Sequence, residues 1–112
     1  MLIEKVILDY LLDNGIKAYA ERPVKPPAQY VIVEKTSANE EDLIITSTIA
    51  LSSYAPSLAE AMILSDQVKA LIKEVDTIPS VSASSLNSET NFTNPSSKQY
   101  RYQAVYDIVH KE

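Results

Sequence analysis

The sequence contains no cysteine, one glycine and one histidine. Without cysteine there is no disulfide framework, no thiolate metal site and no cysteine nucleophile. The lone histidine, His110, excludes any metal site or proton relay that needs two. The lone glycine, Gly15, forbids both the glycine-rich loop that cradles phosphates and the tight elbow that presents a nucleophilic serine. No apolar run approaches the roughly 20 residues of a membrane-spanning helix. The start, Met1-Leu2-Ile3-Glu4-Lys5, breaks its apolar residues with charge, unlike a secretory signal. Positive charge is scarce as well: 10 Lys and Arg stand against 15 Asp and Glu, a formal net charge of -5. Such a chain has no bulk attraction for nucleic acid or for an anionic membrane. A soluble cytoplasmic protein is the expectation, with the acceptor-like triplet Asn91-Phe92-Thr93 read as chance.

What is present is enough apolar residue for one core. The hydrophobic fraction is 46% over 112 residues, which suits a single domain spanning 1–112. Residues 1–14 read as an amphipathic helix, because Ile3, Val6, Ile7, Tyr10 and Leu11 share one stripe. Asn14-Gly15 ends it, with Gly15 as a left-handed cap. Ile16–Glu21 alternates weakly enough for a short strand. Pro23, Pro26 and Pro27 make 22–27 a stiff loop. Gln29–Lys35 has the β-branched and aromatic content of a central strand. Thr36–Asp42 reads as a polar connection. From Leu43 to about Tyr54 the period is two: Leu43, Ile45, Ile49 and Leu51 point one way, and Thr46, Thr48, Ser52 and Tyr54 the other. The two strands make a hairpin.

Pro56-Ser57-Leu58-Ala59-Glu60 opens a second helix through a capping box, Ser57 accepting from the Glu60 N–H and the Glu60 carboxylate from the Ser57 N–H. Ala61, Leu64, Val68, Leu71, Ile72 and Val75 form its buried stripe, to about Val75. Residues 76–97 hold seven serines, three threonines and three asparagines in 22 positions. One irregular strand with a bulge near Ser84-Ser85, then a loop tip over 93–97, is the expectation. Lys98–His110 is the last strand, with Tyr100, Tyr102, Ala104, Tyr106 and Ile108 on one face. The order α-β-β-α-β-β implies an α+β fold: a mostly antiparallel sheet of about four strands with two helices on one face.

No side chains group into a catalytic or metal-binding set, so an enzyme ranks last and no cofactor is expected. His110 reads as a solvated terminal residue. The run Asn39, Glu40, Glu41, Asp42 lacks the spacing and glycine of a calcium loop; it reads as a solvated acidic tip that a ring-forming protein can turn against a neighbour. The tyrosines at 100, 102 and 106 lack interleaved cations for stacking on nucleic acid, and read as packing under a helix with hydroxyls reaching the edge. Two features point to association. The hairpin is long enough to protrude, and the serine-rich segment is long for an idle loop.

In order and length the features resemble a known family. They run from an N-terminal helix through Tyr30-Val31-Ile32-Val33-Glu34 and a long strand ending Ser52-Ser53-Tyr54-Ala55. The helix opened by Ser57-Leu58-Ala59-Glu60-Ala61, a polar segment and Arg101–Val109 follow. This resembles the small tail-terminator and head–tail joining proteins of long-tailed bacteriophages and prophages. The resemblance implies a protomer that closes into a ring, usually a hexamer. Such a ring caps the tail tube, meets the head connector and passes DNA through its lumen without specific binding. It implies host cytoplasm during assembly, then the virion, and no membrane. A head-to-tail ring needs two different complementary patches. The expected contact residues are Asn39, Glu40, Glu41, Asp42, Thr46 and Thr48 on the hairpin, Asn87, Asn91 and Phe92 on the polar segment, and Arg101 on the last strand. Residues 86–96 are then removable without loss of fold. Another phage assembly component, or a small cytoplasmic protein-binding domain, is the alternative.

Overall fold

The computed structural model describes residues 2–93 and 100–111. The chain forms α1 (Ile3–Asp13), β1 (Ala18–Tyr19), β2 (Tyr30–Glu41), β3 (Ile44–Ala55) and α2 (Leu58–Ile72). A single 3-10 turn (Val75–Thr77), β4 (Val81–Asn91) and β5 (Tyr100–His110) complete it. The five strands lie in the order β1-β2-β3-β5-β4. All neighbours are antiparallel except β1, which pairs in parallel with Val31 and Ile32 of β2. The fold is α+β with a five-stranded sheet. The fifth strand is the short segment within 16–21.

The apolar pattern explains the layering. Ile3, Ile7 and Leu11 recur every four residues, so α1 buries one stripe. Ala61, Leu64, Val68 and Ile72 do the same for α2. Both stripes press onto one face of the sheet, against Val31, Val33, Ile49, Leu51, Ala104 and Ile108. Cutting any of the fully buried isoleucines to alanine costs about 2–5 kcal/mol. Among the described residues the sheet's other face carries no helix. The helix ends follow local chemistry. Gly15 has φ 84, and the Gly15 and Ile16 N–H groups reach back to the Leu12 and Leu11 carbonyls. That pair of bonds is a Schellman cap, and it needs the left-handed residue. Only half of the expected capping box forms at α2. The Ser57 Oγ accepts from the Glu60 N–H at 3.2 Å, but the Glu60 carboxylate takes the Ser57 hydroxyl proton instead of the backbone N–H. Helix α2 stops at Ile72, and Val75 is buried from the 3-10 turn.

Several expectations need correction. Residues 36–41 are strand, not connection, because each pairs or bulges against β3. The turn shrinks to Asp42-Leu43, both at positive φ, as a two-residue hairpin demands. The hairpin does not stand clear of the domain: Ile45 pairs with His110, so only the Ile44 pair and the turn overhang β5. Strand β3, not β2, is central. Most of the serine-rich segment is β4, paired along its length with β5. Its register shifts lie between Val81 and Ala83 and between Leu86 and Ser88, not at Ser84-Ser85. Removing 86–96 therefore strips half of a sheet strand and does not leave the fold intact. The expected tip at 93–97 lies outside the described residues from 94 onward.

Candidate functional site

The sheet sorts the ten expected contact residues into two groups at opposite ends. At the β2–β3 turn are Asn39, Glu40, Glu41, Asp42, Thr46 and Thr48. The register puts Asn39 opposite Thr46 and Glu41 opposite Ile44. Side chains alternate across a strand, so Asn39, Glu41, Thr46 and Thr48 share the helix-free face and Glu40 turns to the helix side. Asn87 joins this group through a residue that sequence reasoning passed over. The Asp107 carboxylate accepts from the Thr48 hydroxyl at 2.9 Å and from the Asn87 amide at 3.0 Å. Three strands are thereby tied across the open face.

At the turn itself, Asp42 has φ 53 and Leu43 φ 69. Aspartate tolerates that region; leucine pays about 1–2 kcal/mol there. The Leu43 side chain is nonetheless 83% exposed, and Ile44 beside it is 52% exposed.

The other group, Asn91, Phe92 and Arg101, sits where β4 leaves the sheet. Arg101 forms no ion pair among the described residues. Its guanidinium lies 5.7 Å from the Tyr54 ring centroid and 5.1 Å from that of Phe92, and donates to the Tyr54 hydroxyl at 3.1 Å. Tyr54 stacks on Tyr30 at 4.8 Å, and Tyr19 meets Tyr30 edge-on at 6.3 Å. The result is a line Tyr19–Tyr30–Tyr54–Arg101–Phe92 that starts in β1, crosses β2, β3 and β5 and ends on the residue just past β4. Pairing register carries it: Tyr30 faces Tyr54, and Tyr54 faces Arg101. The signal in the sequence is an aromatic or cationic residue in or beside each strand, but only the register aligns them.

On the helix side, α2, β4 and β5 form a cleft of about 230 Å³ lined by Lys69, Ile72, Lys73, Ser84, Ser85, Leu86 and Tyr106. Lys69 bridges to Glu89 at 3.0 Å and to Asp66 at 3.6 Å. The hydrogen bond to Glu89 holds the Lys69 ammonium above its ordinary range. Burial pushes the Tyr106 phenol well above its ordinary range, with Glu89 and Asp66 adding to it. The Tyr106 hydroxyl does not reach the edge: it is buried, with no hydrogen-bond partner among the described residues.

His110 corrects another expectation. It is 2% exposed. Its Nδ1–H donates to the Lys111 carbonyl at 3.0 Å, which leaves Nε2 to accept from the Ser47 hydroxyl at 2.8 Å. Sequence reasoning placed it in solvent because it ignored that β5 pairs to its last residue. Among the described residues, no three His, Cys, Asp or Glu side chains converge as a metal site would need, and no helix is long and apolar enough to cross a membrane.

The chain matches no protein-family model and no curated protein.

Proposed function

We propose that this chain is a structural subunit of a phage or prophage tail, a ring former that caps the tail tube and joins it to the head connector. The resemblance in element order motivates the reading. The observation that carries it is the separation of two unlike surfaces. An acidic turn with exposed Leu43 and Ile44 lies at one end of a molecule 46 Å long. A cation-aromatic surface around Arg101 and Phe92 lies at the other. Unlike ends suit a ring subunit that meets a different partner at each, the tube at one end and the head connector at the other, whereas a two-fold dimer needs one self-complementary patch. On this reading the protein works through shape and makes no bonds. An acidic subunit also suits a channel that must not hold DNA phosphates. The test is light scattering across a concentration series with negative-stain electron microscopy. Closed rings with a central hole are expected. A strict monomer that binds a small metabolite overturns the reading in favour of a small binding domain.

A further inference from the structure

We propose that the outer edge of β4 is completed, antiparallel, by residues 38–41 of β2 from a second copy, with Glu40 entering the cleft between α2 and β4. The inference rests on the self-association reading and supplies its contact.

Among the described residues the sheet has two open edges. Strand β4 is paired there on one side only, to β5. Strand β2 is covered at its outer side by β1 only at Val31 and Ile32, and residues 34–41 are all exposed. Unpaired edges attract further strands unless something blunts them, usually lysine, proline or a bulge. Neither edge stretch holds proline, and residues 82–91 hold no lysine. The register shifts confine regular backbone to 83–86 on β4 and 37–41 on β2.

Direction and face then select the pairing. Three antiparallel steps separate β2 from β4, so the two edges run in opposite senses. A copy related by rotation about an axis near the strand direction presents β2 antiparallel to β4. One register matches both faces. Asn39 opposite Ser85 puts Ala38 against Leu86 and Glu40 against Ser84 on the helix side. Leu86, 46% exposed in the single chain, then gains an apolar neighbour. Ser84 lines the cleft with Lys69 and Lys73, so the Glu40 carboxylate meets two ammonium groups. Lys73 has no salt-bridge partner among the described residues. A slip of two residues in one direction sets Glu40 against Leu86. A slip in the other sets Ala38 against Ser84 and loses both contacts.

The test uses the absence of native cysteine. Ser85→Cys is combined with Ser37→Cys, Asn39→Cys or Glu41→Cys, each pair is oxidised, and circular dichroism of the reduced protein checks the fold. The Asn39 pair is expected to give a disulfide ladder of oligomers, the other two much less. In parallel, Lys73→Glu and Glu40→Lys alone should each raise the half-assembly concentration by about tenfold, and together return it to within about threefold of the parent. Ladders without closed rings support the edge pairing and overturn the ring. Rings without any ladder keep the ring and overturn the edge pairing. Dimers from Ser85→Cys alone show β4 pairing with itself and overturn the proposal, as does a monomer at every concentration.

Discussion

The Ser47 hydroxyl donates to the Nε2 of His110 across 2.8 Å, joining residues 63 apart in the chain. Both are buried, and the bond ties the turn end of β3 to the last residue of β5. Removing one partner leaves the other unsatisfied, which costs about 1–3 kcal/mol. Ser47→Ala and His110→Ala are each expected to lower the urea midpoint accordingly. The double variant should lose less than the two added together, by about 1 kcal/mol of coupling. Full additivity in the cycle contradicts the bond.

Tyr106 offers the opposite sign. Its buried hydroxyl has no partner among the described residues, so Tyr106→Phe should stabilise the isolated protein by about 1 kcal/mol at neutral pH. The phenol's pKa is raised on folding above its ordinary 10.0. The unfolded chain therefore ionises first, and folding stability is intact below pH 10 and lost as pH rises beyond it. Lys69, also raised, by its bond to Glu89, acts with the same sign. Denaturation at pH 7, 10 and 11 should show the parent weakening faster than Tyr106→Phe. Equal slopes contradict the assignment.

Leu43→Gly should stabilise the monomer by about 1 kcal/mol, since glycine accepts the left-handed region without Cβ strain. Thermal unfolding of the dilute protein measures it. A loss of stability contradicts the strain reading of this turn.

Arg101→Ala should cost about 1 kcal/mol through the lost ring contacts and the bond to Tyr54. Arg101→Lys recovers only part, because an ammonium lacks the planar fork. Urea unfolding of the three proteins decides. Identical midpoints contradict a structural role for the line of rings.

These effects mark where the sequence was readable. Gly15 as a cap, Ser57 as an acceptor and the stripes of α1 and α2 depend on residues within four positions of each other, so local physics suffices. The β2–β3 pairing was legible as a hairpin and the last two segments as strands, but the strand lengths were not. Residues 36–41 and 82–91 are polar because each forms an exposed edge, and polar edges resemble loops when read alone. Bulges at Thr36, Ser82 and Asn87 also break the period of two that identifies strands. Of the candidate site, Arg101 and Asn87 were in the expected set. Asp107, Tyr54 and Tyr106 were not, since their roles follow from register.

The proposed termination of a tail tube is tested most directly by measuring, in electron micrographs, the lengths of the tubes released by cells that carry the gene, with and without it intact. Without it, tubes should grow past their regular length and lack a ring at the head-proximal end. Tubes of regular length, joined normally to heads in its absence, contradict the claim.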